Sequence, residues 1–166
     1  MKIAIEGTNC DITVNKILAC PLLISTTDFR LTKKEMDTVI NSGFSTKDGL
    51  SVTTNTNLLK ESGLERIQSF MVTFTKEFVK EALKIKNEFY LTTSWATRNI
   101  KGSSHFRHIH PNTLLSTLYY VEAESGDLVL ENDGDNMFPN FGFKWDISET
   151  NNFNTTEWTI PVRTGH

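Results

Sequence analysis

Short runs of alternating apolar and polar residues occur near the N-terminus and throughout the second half of the chain. Near the N-terminus, runs rich in β-branched residues predict strands at 3–5, 12–14 and 22–24. After residue 88, the runs that predict strands are 89–95, 106–110, 114–121, 127–130, 141–145 and 157–162. Gly, Asn and Asp separate these runs, as is typical of turns. The second half is therefore predicted to be mostly sheet.

Two segments between the strand runs carry helix signals. Thr32 and Glu35 have the spacing of a capping box, which predicts a short helix that ends near Gly43. Ser62 and Glu65 have the same spacing and predict a longer helix. One face of that helix is apolar and consists of Ile67, Met71, Phe74, Phe78 and Ala82. Helical spacing of this kind, with charged residues opposite, predicts a helix packed on the core rather than a cofactor site.

The order of these elements predicts the fold class. Helices followed by many short strands indicate an α+β domain whose second half is a β-sandwich or barrel. A length of 166 residues fits a single domain, 1–166, with N-terminal strands and helices at 1–86 and the sheet region at 87–166.

Charge and composition exclude several functions. The net charge is -3 and the Lys and Arg residues are scattered, so no nucleic-acid-binding surface is expected and small-molecule or protein substrates are favoured. No run approaches the roughly 20 apolar residues that cross a bilayer, which predicts no membrane association. Cys10 and Cys20 form no framework of spaced cysteines, which suits a reducing, cytoplasmic location.

Three of the four histidines fall within six residues, and this cluster is the strongest sign of chemistry. In a strand, residues i and i+2 share a face, so His108 and His110 would converge on one metal ion while His105 points to the other side. Pro111 ends the strand and leaves His110 at its edge. Imidazole binds Fe, Zn, Cu and Ni, so these residues alone do not identify the metal. A pair of half-exposed strand histidines without metal is the structural alternative.

The same region resembles a known family. Residues 108–113 read His-Ile-His-Pro-Asn-Thr, residues 115–121 read Leu-Ser-Thr-Leu-Tyr-Tyr-Val and residues 125–128 read Ser-Gly-Asp-Leu; Ser-Trp-Ala at 94–96 and Lys-Gly at 101–102 precede them. Together they resemble a family of Fe(II)- and 2-oxoglutarate-dependent oxygenases, distant relatives of the prolyl hydroxylases that also occur in marine bacteriophages. The resemblance implies a double-stranded β-helix (a jelly-roll, cupin-like fold) supported by N-terminal helices. It also implies Fe(II) as cofactor and 2-oxoglutarate as cosubstrate.

The family's functional residues carry over in part. His108 matches the first metal ligand, and His110 occupies the position that usually holds a carboxylate. An imidazole in place of a carboxylate makes the site more positive. The second metal ligand would be either His110 itself or a carboxylate oxygen of Asp127, Glu131 or Asp133. Tyr120 matches a strand tyrosine that hydrogen-bonds the distal carboxylate of 2-oxoglutarate, with a core tyrosine as the alternative.

A second departure lies at the C-terminus. Members of the family continue into a strand that bears a distal His ligand and an Arg that pairs with the cosubstrate, whereas this chain ends at His166. Neither His166 nor Arg163 matches those positions. Three explanations stay open: a longer natural protein, a shortened and inactive member, or a homo-oligomer in which a neighbouring subunit completes the site.

Three functions follow from these observations. The first is a hydroxylase of this oxygenase family that acts on a protein side chain or a small molecule. The second is a non-catalytic or truncated metal-binding or structural β-sandwich protein, for example one associated with a phage. The third is a cupin-type metalloenzyme. No Gly-x-Ser-x-Gly elbow and no phosphate-binding glycine pattern is present, which argues against hydrolase and nucleotide chemistry.

Overall fold

A computed structural model describes residues 2–4, 11–13, 21–25, 27–47, 49–124, 126–131, 148–149, 151, 155 and 157–165. The described residues combine helices with small antiparallel sheets, which confirms the mixed α and β character predicted from the sequence. They do not form a double-stranded β-helix. The predicted strand 141–145, the candidate ligand Asp133 and the terminal His166 lie outside the described residues.

The secondary-structure elements are as follows. The helices are α1 (Lys33–Ile40) and α2 (Glu65–Glu81), with a 3-10 turn at Leu58–Lys60 between them. The strands among the described residues are β1 (Lys2–Ala4), β2 (Asp11–Thr13), β3 (Phe44–Lys47), β4 (Leu50–Thr53), β5 (Thr97–Asn99), β6 (Asp127–Glu131) and β7 (Glu157–Pro161).

The chain divides into two compact units, and the first comprises Met1–Leu22 and Gly126–Pro161. Its described residues form antiparallel strand pairs of β1 with β2 and of β6 with β7. In the second pair, Leu128 lies opposite Ile160 and Leu130 lies opposite Trp158. These four strands correspond to the predicted runs at 3–5, 12–14, 127–130 and 157–162, so the local alternation identified them correctly.

The second unit comprises Leu23–Ser125 and Val162–His166. It holds both helices and an antiparallel sheet in the order β3-β4-β5. Its core is a cluster of Leu58, Leu64 and Ile67, each at most 4 % exposed. Partly buried side chains pack around this cluster, namely Phe29, Leu31, Val39, Leu59, Phe70, Met71, Ala96 and Tyr119. The N-terminal half of helix α2 therefore contributes Ile67 and Met71, two residues of its predicted apolar face, to this core.

The two helix starts differ from each other. At α1 the Glu35 N–H donates to Thr32 Oγ1 (3.2 Å) and the Thr32 N–H donates to a Glu35 carboxylate oxygen (2.7 Å), which confirms the predicted capping box. At α2 the predicted box is wrong, because the helix begins at Glu65 with Leu64 as its N-cap and without a side-chain cap. The Glu65 carboxylate instead accepts from the Gly63 N–H at 2.9 Å.

Four predicted strands are wrong. Residues 22–24, 106–110 and 114–121 form no strand, and in 89–95 only Ser94 makes an isolated bridge, to Asn57. The strand of that region lies further along, at β5. A strand is stabilised by its ladder partner as well as by its own residues, so a local alternating pattern does not suffice to form one. On α2, the buried residue in the last turns is Val79 rather than the predicted Ala82, which is exposed.

A partly buried ion pair joins the two helices. Glu35 on α1 is only 4 % exposed, and Arg66 Nη2 on α2 lies 2.7 Å from its Oε2 atom. Arg66 also donates to the Arg30 carbonyl and stacks over the Phe29 ring, 4.1 Å from the ring centroid. The hydrogen bond from Arg66, together with the Thr32 N–H, lowers the pKa of Glu35 from 4.5 to about 2. The pair therefore stays ionised at neutral pH.

Candidate metal centre

The segment that precedes the histidines is held firmly against the core of its unit. Ser94 is 9 % exposed; its N–H donates to the Thr56 carbonyl and its own carbonyl accepts from the Leu58 N–H, both at 2.9 Å. Its hydroxyl oxygen accepts from the Leu59 N–H, also at 2.9 Å. Because Leu58 belongs to the hydrophobic core, these bonds connect Ser94 directly to the most buried part of the unit.

Ala96, two residues further on, is held in the same way. The Thr53 N–H donates to the Ala96 carbonyl (3.0 Å), and the Ala96 N–H donates to Thr53 Oγ1 (3.1 Å). Trp95 lies between the two fixed residues, and its side chain is 41 % exposed. The backbone on both sides of Trp95 is thus held by hydrogen bonds, while the indole ring is partly exposed at the surface of the unit.

The ring of His110 stacks on Trp95. The ring centroids lie 5.4 Å apart and the planes are inclined by 25°. This contact joins residues 15 positions apart in the sequence and was not predicted, because no local periodicity relates them. It is the main functional relationship that the sequence analysis missed.

His108 and His110 converge as predicted, although not on a strand. Their Nε2 atoms lie 2.9 Å apart and their ring centroids 4.9 Å apart. Two imidazole nitrogens that bind one ion at about 2.1 Å and at a right angle to each other lie about 3.0 Å apart. The spacing therefore suits either a direct N–H···N hydrogen bond or two adjacent ligands of one metal ion.

The hydrogen bond of His108 Nδ1 determines which ring nitrogen carries the proton. His108 Nδ1 lies 3.0 Å from the Phe106 carbonyl oxygen, which is only an acceptor, so Nδ1 carries the proton and Nε2 the lone pair. Metal-binding histidines commonly have this arrangement, in which a backbone carbonyl fixes the tautomer. In metal-free protein, His110 Nε2–H can donate to that lone pair.

His105 does not point away from the pair, as the strand pattern predicted. Its ring centroid lies 4.5 Å from that of His108, and its Nδ1 lies 3.1 Å from the same Phe106 carbonyl oxygen. The physical reason is that residues 104–110 form no strand, so side chains at i and i+1 are not forced to opposite faces. The three imidazoles therefore lie next to one another, with the His105 and His108 rings tilted by 40° and the His108 and His110 rings stacked.

No third metal ligand is identified in the part of the chain that the structure describes. Within it, no group of three or more His, Cys, Asp or Glu side chains could hold a metal ion. Of the carboxylates predicted as alternatives, Asp127 and Glu131 lie on β6 in the other unit. The two histidines therefore fit part of a facial triad, in which iron has a carboxylate as its third protein ligand.

Tyr120 is half-buried, and burial raises the pKa of its phenol. Among the described residues, its hydroxyl makes no hydrogen bond, and its ring makes no aromatic contact with His108 or His110. Its neighbour Tyr119, which the sequence analysis did not single out, donates its hydroxyl proton to the Phe29 carbonyl. Tyr119 is therefore a core tyrosine with a hydrogen-bonded hydroxyl, the structural role that was considered as the alternative for Tyr120.

Residues 93–166, less than half of the chain, match the model of a family described as "Putative 2OG-Fe(II) oxygenase". The matched stretch includes Trp95, His108, His110 and Tyr120. No curated protein and no solved structure matches the chain.

In the part of the chain that the structure describes, no helix is both long enough and apolar enough to cross a bilayer.

Proposed function

We propose that this protein is an Fe(II)- and 2-oxoglutarate-dependent oxygenase that hydroxylates a protein side chain or a small molecule. The observation that carries the proposal is the 2.9 Å separation of His108 Nε2 and His110 Nε2 within the stretch that matches the oxygenase family. Two nitrogen donors at this spacing can occupy adjacent positions on one ion. Bound Fe(II) would activate dioxygen, the oxidant; one oxygen atom would enter the substrate C–H bond and the other would enter succinate as 2-oxoglutarate loses CO2.

In this proposal His108 and His110 are the two imidazole ligands. The carbonyl of Phe106 holds the Nδ1 proton of His108, so that Nε2 is free to bind. His108 is exposed and His110 is half-buried, so the ion would be reached from the solvent side. A large substrate, such as a polypeptide side chain, could approach the same side.

Tyr120 is proposed to bind the cosubstrate. A protonated phenol can donate a hydrogen bond to a carboxylate, and a tyrosine phenol is protonated at neutral pH. The support is its match to the family tyrosine and a hydroxyl that is not engaged by another described residue.

The test is an anaerobic titration with Fe(II) and 2-oxoglutarate, monitored through the weak visible charge-transfer band of a chelated Fe(II)–oxoacid centre. We expect the band in wild-type protein and in the control variant Ile109→Ala, whose side chain lies between the two histidines in sequence and is 79 % exposed. We expect its loss in His108→Ala. A band of equal intensity in His108→Ala would refute the assignment of His108.

A second function, a metal-binding protein without oxygenase activity, needs only the imidazole donors of His108 and His110, whose Nε2 atoms lie 2.9 Å apart. If Fe(II) binds but addition of 2-oxoglutarate produces neither the visible band nor succinate in air, the non-catalytic function is the correct one.

A further inference from the structure

We infer that Trp95 is a positioning residue that orients the His110 imidazole for metal binding. Its role in metal binding rests on the proposed function, whereas its role in orienting His110 concerns the metal-free protein alone. The backbone beside Trp95 is fixed, the Trp95 and His110 rings are stacked, and residues 104–110 form no strand.

The base of Trp95 is fixed by five hydrogen bonds. Three join Ser94 to residues 56–59, and two join Ala96 to Thr53. Because Ser94 and Thr53 are both buried, solvent competes little for their bonds. The backbone on both sides of Trp95 is therefore held in place, which leaves the indole with little freedom other than rotation of its own side chain.

The histidine segment lacks this support. Residues 104–110 lie in no strand, and the side chains of Phe106 and Ile109 are 71 % and 79 % exposed. No sheet hydrogen bond therefore sets the direction of the His110 side chain. The stack on Trp95, at 5.4 Å and 25°, gives that imidazole a defined plane.

The stack has a consequence for the metal site. With its plane set by Trp95, His110 directs Nε2 at the Nε2 atom of His108, 2.9 Å away. A ligand that is already oriented loses less side-chain entropy when it binds. If the energy of this aromatic pair is lost, the affinity for Fe(II) should fall by about 2- to 10-fold. Loss of the indole should therefore weaken metal binding without abolishing it.

The first experiment measures the stack in metal-free protein by NMR. The indole ring current shifts the carbon-bound imidazole protons of His110, which are assigned by comparison with His110→Gln. We expect Trp95→Leu to remove this shift. Trp158→Leu is the matched control, because Trp158 is similarly exposed at 47 % and lies on β7 in the other unit. Unchanged His110 resonances in Trp95→Leu would overturn the inference.

The second experiment measures Fe(II) affinity under anaerobic conditions in the same variants. We expect Trp95→Leu to bind Fe(II) about 2- to 10-fold more weakly. Trp95→Phe, which keeps an aromatic ring, should recover most of the affinity, and Trp158→Leu should not differ from wild type. Equal affinity in Trp95→Leu and wild type, or no recovery by Trp95→Phe, would overturn the positioning role.

The two experiments separate this inference from the proposed function. If wild-type protein binds no Fe(II), the proposed function fails and the metal-binding role of Trp95 fails with it. The His110 resonances would still decide whether Trp95 orients the imidazole.

Discussion

The Gly165 N–H donates a hydrogen bond to the Tyr120 carbonyl, with an N···O distance of 2.8 Å. The Gly165 carbonyl in turn accepts from the Phe29 N–H at 3.2 Å, and Thr164 Oγ1 accepts from the Ala123 N–H at 2.9 Å. The turn at 164–165 thus joins residues 28–29 to the backbone of the proposed cosubstrate tyrosine.

Gly165 is predicted to be intolerant of a side chain. Its φ is +86°, and a Cβ atom would lie 2.5 Å from Asp28 Oδ1 and 3.4 Å from the Phe29 carbonyl oxygen. Gly165→Ala should therefore lower the free energy of unfolding by about 1–2 kcal/mol, mainly through backbone strain, because the exposed Asp28 side chain must also turn aside. Urea denaturation measures this change.

Gly102→Ala is the matched control for this substitution. Gly102 has a similar φ of +84°, but a Cβ atom there meets nothing within 4 Å. Backbone strain alone should lower the free energy of unfolding by about 1 kcal/mol. Equal losses in the two variants would show that the contacts at Gly165 do not matter.

The ion pair between Glu35 and Arg66 predicts an acid-dependent loss of stability. The pKa of Glu35 is about 2 in the folded protein and 4.5 ordinarily, so the carboxylate stabilises the fold above pH 4.5. That stability is lost as the pH falls from about 4.5 through 2. Since the Arg66 side chain is 45 % exposed, solvent screening limits the contribution to about 1–2 kcal/mol.

Chemical denaturation between pH 6 and pH 2 measures this contribution. Glu35→Gln should be less stable than wild type at pH 6, and the difference should shrink towards pH 2. Glu88→Gln, which removes an exposed carboxylate, should follow the wild-type curve. A constant difference between Glu35→Gln and wild type across the whole range would disprove the linkage.

The two capping-box sequences should respond differently to the same substitution. Thr32→Ala removes the acceptor of the Glu35 N–H and should cost about 1 kcal/mol of unfolding free energy. Ser62→Ala should change stability by less than about 0.5 kcal/mol, because α2 has no side-chain cap and Gly63 bonds to Glu65 instead. Thermal unfolding of both variants checks this difference, and a larger loss in Ser62→Ala would contradict it.

Substitutions of the adjacent residues Tyr119 and Tyr120 are predicted to have different effects, the first on stability and the second on 2-oxoglutarate binding. Tyr119→Phe removes the hydrogen bond to the Phe29 carbonyl and should lower the free energy of unfolding by about 1 kcal/mol. Tyr120→Phe should leave stability and Fe(II) affinity nearly unchanged while it weakens 2-oxoglutarate binding. Calorimetric titration of the Fe(II)-loaded variants measures this. If Tyr120→Phe loses stability without losing cosubstrate affinity, Tyr120 has only a structural role.

Local sequence signals predict the elements whose stabilising contacts are themselves local. The capping box of Thr32 and Glu35 spans four residues, and both of its hydrogen bonds form. The face of α2 that contains Ile67 is also predicted, because helical periodicity depends only on neighbouring turns. The Ser62 box fails because a short side-chain signal competes with the Gly63–Glu65 contact at the same helix end.

Features that depend on distant residues are not predictable in this way. Residues 114–121 have the composition of a strand yet form none, since a ladder needs a partner that the local pattern does not specify. Proximity of His108 and His110 is predicted correctly from a wrong premise, because side chains two residues apart can meet without a strand. The stack of Trp95 on His110 and the Gly165–Tyr120 bond have no local signature.

The most direct test of the account is the anaerobic equilibrium binding of Fe(II) to wild-type protein and to single variants at the histidine pair. If His108 and His110 share one ion, wild type and Ile109→Ala should each bind one equivalent, and His108→Ala and His110→Ala should both lose it. Circular dichroism verifies that each variant is folded. Retention of one tightly bound equivalent by both histidine variants would contradict the claim that this pair forms the metal centre.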